Sequence, residues 1–215
     1  MAGSESIVYR PLRPEEVPEL ATLFSESFAD NAVNNHIFQY DSATHPLEHC
    51  SSMKWLYEKR LSIIIDYDYP AYVAVNEATG AIVGAACCIM KSTKPGIWGL
   101  IRAGLLTWPF YWGVQSALRA VSIDEEFDSL EKKLYPNCEA QLQMVAVSPA
   151  CQGRGIGKGI VRALLADSRL SGLAISLSTQ KPQNVPFYRS LGFQNEVEHT
   201  FFGFKSWTMF KPSHT

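Results

Sequence analysis

A chain of 215 residues with 47% hydrophobic side chains can enclose one substantial core, and a single domain over residues 1–215 is expected. Its 19 basic and 21 acidic side chains are interspersed and sum to a formal charge of −2, which gives no footprint for a nucleic acid. Five cysteines form an odd set without C-x-x-C spacing, and residues 1–6 are polar, so a reduced, cytoplasmic chain without a secretory leader is predicted.

Residues 7–10 read as a short strand. A helix is predicted over 14–28, because Pro14 suits a first helical position and Val17, Leu20, Ala21, Phe24 and Phe28 recur at helical spacing. Residues 30–44 are polar and aromatic without a clear period and are expected to be irregular. A second helix follows over 46–65. His45, His49 and Cys50 lie near its start, but no third ligand pattern joins them, so an ordinary polar face is preferred and no metal is expected. Strands at 72–75 and 81–90 flank Ala78-Thr79-Gly80 and read as a hairpin.

After a polar break containing Pro95 comes an aromatic-rich insert at about 96–122, predicted as two helical pieces separated at Pro109. It is too short and too interrupted to span a bilayer, which needs about 20 predominantly apolar residues, and no membrane partner is expected. Trp98, Trp108, Tyr111 and Trp112 read as core or subunit-contact aromatics, with a pocket lining as the alternative. A charged helix is predicted over 123–134, with Asp124, Glu125, Glu126 and Asp128 on a solvated face. Then come a strand at 141–147, a helix at 156–169, a strand at 173–178, a short helix at 183–191 ended by Gly192, and an antiparallel pair at 193–198 and 205–210. Trp207, Met209 and Phe210 read as core, and Phe201, Phe202, Gly203 and Phe204 as a turn that can face an acceptor.

The most informative segment is Val145-Ala146-Val147-Ser148-Pro149-Ala150-Cys151-Gln152-Gly153-Arg154-Gly155-Ile156-Gly157-Lys158-Gly159. A strand, a glycine turn with two cations and a helix start together make an anion cradle, because the free N–H groups and the helix dipole favour a phosphate. A Walker loop ending at Gly157-Lys158 would need glycine at Gln152 and a hydroxyl at Gly159. A G-x-G-x-x-G fingerprint would need its third glycine at Lys158 or Ile160. Both spacings fail.

The segment instead resembles the GNAT superfamily of acyl-CoA-dependent N-acyltransferases. The matching residues are Leu142, Val145, Val147, Pro149, Gln152, Gly153, Gly155 and Gly157, followed by Ile160, Leu164 and Leu165. Further on, Asn184…Phe187-Tyr188-x-x-x-Gly192-Phe193 is similar to the family's second segment. The resemblance implies a mixed α/β fold, with a central, mostly antiparallel sheet flanked by helices on both sides. It implies acetyl-CoA as co-substrate, its pyrophosphate on Gln152, Gly153, Arg154, Gly155, Ile156, Gly157 and Lys158. The pantetheine arm falls along Met144, Val145 and Val147, with Asn184 beside it. In the family the motif strand is splayed from its neighbour, and the N–H that faces the thioester oxygen corresponds here to Val145.

Tyr188 is the implied acid for the departing thiolate, since a phenol with a reference pKa of about 10 stays protonated at neutral pH. Its plainer role is a core tyrosine capping a carbonyl, and that of Asn184 is a helix cap. The base is not assigned. Where many family members carry a glutamate, this strand has Gln141 and Gln143; Glu139 precedes it, Asp124, Glu125, Glu126 and Asp128 sit on the preceding helix, where a solvated face is preferred, and His199 sits on a late strand. The expected acceptor is a primary amine of a small molecule with an apolar portion, for a monomer or homodimer. A protein lysine or N-terminus, or a non-catalytic acyl-CoA-binding module, is the alternative.

Overall fold

The computed structural model of the chain describes residues 6–39 and 46–213. In chain order the strands are β1 (Ile7–Pro11), β2 (Ala71–Asn76), β3 (Ile82–Met90), β4 (Ala140–Val147), β5 (Ile175–Thr179), β6 (Gln194–Phe201) and β7 (Phe204–Lys211). The helices are α1 (Val17–Ser27), α2 (Ala32–Phe38), α3 (Pro46–Asp66), α4 (Ile97–Arg102), α5 (Trp108–Trp112), α6 (Val114–Leu134), α7 (Ile156–Leu165) and α8 (Asn184–Arg189).

The strands form one sheet in the order β1-β2-β3-β4-β5-β7-β6. Every neighbouring pair is antiparallel except β4 and β5, which are parallel and joined through α7. Helices cover both faces. One core joins α1, α3 and the inner side of the insert to the sheet through Leu20, Phe24, Leu61, Val73 and Cys87. The other seats α7 and α8 through Ile160, Leu164, Val185 and Tyr188. The mixed, mostly antiparallel sheet between helices is the architecture expected from the sequence. Cys87 and Cys88 are fully buried, one on each face, as adjacent strand residues must be.

Five local expectations need correction. Residues 14–16 form a 3-10 turn before α1, held by Glu16, whose carboxylate accepts the Arg13 N–H at 2.9 Å and pairs with the Arg10 guanidinium. Part of the segment expected to be irregular is α2. Asn31 starts it by accepting the Val33 and Asn34 N–H groups at 2.9 and 3.3 Å, and a helix this short shows no periodicity to read. His45 and residues 40–44 lie outside the described residues. The insert breaks at Gly104 (φ +77°) and Gly113 (φ +80°), not at Pro109. Pro109 sits in the first turn of α5, where a missing N–H costs nothing. The charged helix expected from residue 123 therefore begins at Val114, inside the insert. The motif helix α7 likewise stops at Leu165 and is followed by a 3-10 turn at Ser168–Leu170.

α7 lies close on the sheet because β3 is bare beneath it. A Cβ on Gly84 would stand 2.7 Å from Ile160 Cδ1 and 2.9 Å from the Ala146 carbonyl oxygen. The side chain can turn away, but the β4 backbone cannot. Gly84→Ala is expected to lower stability by about 1–3 kcal/mol through overpacking, read as a shift in the urea midpoint at unchanged slope.

Candidate functional site

The site begins with a fault in β4. Ala146 pairs with Ala85 and Gln143 with Cys87, so Met144 and Val145 together face Ala86 alone. This is a β-bulge, and Met144 takes the left-handed conformation within it, at φ +48°. The extra residue reverses the alternation of the strand. Ala140 and Leu142 pack on the α7 side, whereas Met144 and Ala146 pack on the α1–α3 side, leaving Val145 and Val147 toward α7.

On its other edge β4 pairs with β5 only from Ala140 to Leu142, against Ile175 to Leu177. β5 continues to Thr179 on β7. Past Leu142 the two parallel strands therefore part, and a cleft of about 1150 Å³ opens between them.

The glycine loop closes one end. Gly153 and Gly155 adopt φ of +77° and +78°, and Gly155 caps the start of α7. A Cβ on either would meet nothing within 4 Å, so glycine is needed there for backbone conformation and leaves an open concavity. The N–H groups of the first α7 turn have no partner within the helix and carry the positive end of its dipole. Gln152 braces the loop by donating to the Val147 carbonyl at 3.0 Å. Gln152, Gly153, Gly155, Ile156, Gly157 and Lys158 all line the cleft. Arg154 does not; its guanidinium turns back to the Ala150 carbonyl at 3.4 Å.

The other strand end carries α8. Tyr188 is 8% exposed, set edge-on to Phe187 and Phe193, and lines the cleft. Its hydroxyl has no hydrogen-bond partner among the described residues, so it caps no carbonyl; burial pushes its pKa well up. Asn184 is not the helix cap, a position held by Gln183. It lines the cleft and donates to Thr179 Oγ1 at 3.0 Å. Met144, Val145 and Val147 line the same space from β4.

Of the opposite wall, Trp108 was foreseen as an alternative pocket lining. Ile123, Asp124, Phe127 and Asp128 of α6 face the cleft, with Arg60 of α3 and Trp108 of α5. Asp128 is neutralised by Lys94 and, at 3.0 Å, by Lys132. One turn away, Asp124 has no ion pair or hydrogen bond among the described residues. Crowding by the cleft walls raises its pKa, against the opposing pull of Arg60. Asp124, Glu125 and Glu126 are exposed, as expected of a solvated face, and Asp124, Glu125 and Asp128 also line the open cleft. The i, i+4 recurrence of Ala120, Asp124 and Asp128 beside Ile123 and Phe127 was the available signal.

Gln141 and Gln143 of β4 also line the cleft, with Gln143 donating to Gln141. The remaining candidates fall elsewhere. Glu139 is spent on the Ala174 N–H, at 3.2 Å, away from the cleft. His199 stacks on Phe201 and does not line the cleft. The Phe201–Phe204 turn packs against His36 and Phe127 and not on the cleft wall. His49 is buried against the Ala29 carbonyl at 2.7 Å, and no group of three metal-ligating side chains occurs among the described residues.

Comparison with known proteins bears on this arrangement. The family model described as an acetyltransferase (GNAT) domain matches residues 118–195, which span α6, the bulged strand, the glycine loop and α8. Over these residues the chain is similar to the GNAT acetyltransferase domain. The fold agrees along its length with a solved structure described as histone acetyltransferase HPA2 and related acetyltransferase from Corynebacterium glutamicum. That match has TM-score 0.66 and 20% identity, and covers 98% of each chain. A mosquito arylalkylamine N-acetyltransferase like 5b matches at TM-score 0.58 and 16% identity, over 96% of this chain and 99% of that one. In sequence, 49 residues are 43% identical to serotonin N-acetyltransferase 2, chloroplastic, of Oryza sativa subsp. japonica. That segment is 23% of this chain, and the chain spans only 24% of that relative. The GNAT fold places the glycine loop, the bulge and Tyr188 around one opening.

Proposed function

We propose that the chain is an acetyl-CoA-dependent N-acetyltransferase acting on a primary amine of a small molecule. The observation that carries this reading is the cleft between the diverging β4 and β5, with the glycine loop at one end and an unpaired carboxylate on the far wall. When bound, acetyl-CoA supplies the thioester carbonyl. The loop fits its pyrophosphate, since the open concavity at Gly153 and Gly155 exposes backbone N–H groups that a Cβ would strain out of place. Lys158 adds charge from the cleft wall. β4 holds the pantetheine arm along Met144, Val145 and Val147, with Asn184 opposite.

Each chemical task then has a residue. The Val145 N–H, beside the bulge, hydrogen-bonds the thioester oxygen; a preorganised donor of this kind is worth about 3 kcal/mol of barrier. Asp124 binds the ammonium of the acceptor and takes its proton, and the upward shift of its pKa makes it the stronger base for that task. As the nitrogen–carbon bond forms and the carbon–sulfur bond breaks, Tyr188 gives its proton to the sulfur and is replenished by the second proton that the nitrogen sheds on becoming an amide. Burial keeps that phenol protonated until then. Walls of Leu100, Leu105, Trp108 and Phe127 favour an acceptor with an apolar portion. Arylalkylamine and serotonin acetyltransferases among the relatives support the same class.

Three variants test the assignment. Gly155→Ala and Gly155→Glu carry the same left-handed strain, about 1 kcal/mol, yet only the glutamate sets a negative charge in the cradle. Titration calorimetry with coenzyme A is expected to show a modest loss for the first and loss of measurable binding for the second; equal losses would remove the pyrophosphate from this loop. Tyr188→Phe is expected to bind coenzyme A within a few-fold of the parent and to lower kcat by about 10²–10⁴. A matching loss of binding would make the tyrosine structural. For Asp124 the sign is fixed by its role: the carboxylate acts ionised, so kcat/KM rises with pH through an apparent pKa above the usual carboxylate range. Asp124→Asn is expected to lower kcat/KM by about 10²–10⁴ and to abolish that limb of the profile. A retained limb would place the base elsewhere.

A further inference from the structure

The insert presents its apolar residues the wrong way round. Trp98 is 78% exposed, Phe110 90% and Tyr111 65%, and Ile97 and Leu106 stand beside them. The first turns of α6 repeat the inversion: Val114, Leu118 and Val121 are more than half exposed, while Ser116 and Ala120 are turned inward. Ser116 is buried because it accepts the Trp108 indole N–H at 2.8 Å and donates to the Trp112 carbonyl, which locks the segment in this orientation. Most of the large exposed hydrophobic side chains of the described residues fall between Ile97 and Val121. Large apolar exposure concentrated in one segment marks a surface that meets something.

Charge selects the partner. Residues 78–123 hold no acidic side chain, and of their four cations Lys91 and Lys94 are paired with Glu131 and Asp128 and Arg119 donates to the Ile37 carbonyl, which leaves Arg102. Arg102 is exposed within the patch and has no carboxylate partner among the described residues. Lys59 of α3 lies alongside, its Nζ over the Trp55 ring at 5.8 Å and against Gly104. A second copy of the chain, related by a two-fold axis, would set this patch against itself, with arginine facing like charge and no acid to answer it. An anionic lipid surface has the complementary charge, and protruding tryptophan, tyrosine and phenylalanine are the side chains that settle at a headgroup boundary.

We infer that the outer face of the insert docks this protein onto an anionic membrane surface. This departs from the sequence-based expectation of no membrane partner, which weighed only a spanning segment. No described helix is long and apolar enough to cross a bilayer, and docking requires none. The geometry also gives docking a use. Leu100, Leu105 and Trp108, on the inner side of the same insert, wall the cleft. The docked face therefore lies one helix layer from the proposed acceptor wall, within reach of amines that partition into lipid. The surface itself stands independently of the acetyl-transfer reading.

The test is co-sedimentation of the full chain with vesicles of phosphatidylcholine alone and of phosphatidylcholine mixed with phosphatidylserine. Binding is expected on the mixed vesicles and to fall as salt is raised. The double substitution Trp98→Ser/Phe110→Ser is expected to lower the partition coefficient about tenfold or more, and Arg102→Glu several-fold. Thermal melting and coenzyme A titration report whether each variant keeps the fold. Should the double variant fail to fold, Arg102→Glu and the salt dependence still decide the matter. Absence of binding to the mixed vesicles, or binding unchanged in the folded variants, overturns the inference. So does a stable dimer of the parent in sedimentation velocity that Trp98→Ser/Phe110→Ser dissociates, since that assigns the face to a second copy.

Discussion

The parting of β4 from β5 is the constraint around which the rest of the molecule is arranged. Two parallel strands in register would leave no room for a ligand, because their backbone groups would satisfy each other. Here the bulge at Met144 and the end of pairing at Leu142 come within two residues of one another. Beyond that point the β5-facing edge of β4 has no strand beside it. Backbone groups inside a fold must be paired or solvated, so such an edge has to face either water or a guest. Because α7 follows β4 and runs back to β5, its N-terminus necessarily sits at the end where the strands separate. Cleft, loop and helix dipole thus share one origin in topology, as is common where ligands bind at the carboxyl ends of parallel strands.

The far wall is organised by a different rule. α6 carries two carboxylates one turn apart on the same face, and the structure treats them differently. Asp128 is gripped by two lysines, while Asp124 is left facing a cavity with Arg60, Asp128 and Lys94 acting at a distance. The buried acid of the same helix, Glu131, is paired with Lys91 at 3.1 Å. An unpaired carboxylate open to the cleft keeps its capacity to receive a cation.

Sequence legibility followed the range of the interactions. The loop from Gln152 to Lys158 was readable because its chemistry is local: glycine at fixed offsets, then a helix of one apolar face. Strand and helix order was readable for the same reason. Asp124 was not, since a carboxylate on an exposed-looking helical face is indistinguishable from a solvated one until the facing wall is known. α2 was missed because it is too short to show a period. Pro109 misled, because proline breaks a helix only in its interior, and the conformational breaks are the glycines at 104 and 113. The inversion at Val114, Leu118 and Val121 was invisible for a related reason: periodicity finds an apolar face without saying which way it points.

Met144 imposes one more condition, on how this chain can vary through descent. Its neighbours along β4 can exchange among strand-forming residues. A residue held at φ +48° cannot be valine, isoleucine or threonine without severe steric conflict, however well those side chains suit a strand. Asparagine or glycine would relieve the backbone but surrender the packing that Met144 makes toward α1 and α3. The position therefore passes only unbranched, flexible side chains, a filter set by one dihedral angle and invisible to any rule of hydrophobic patterning.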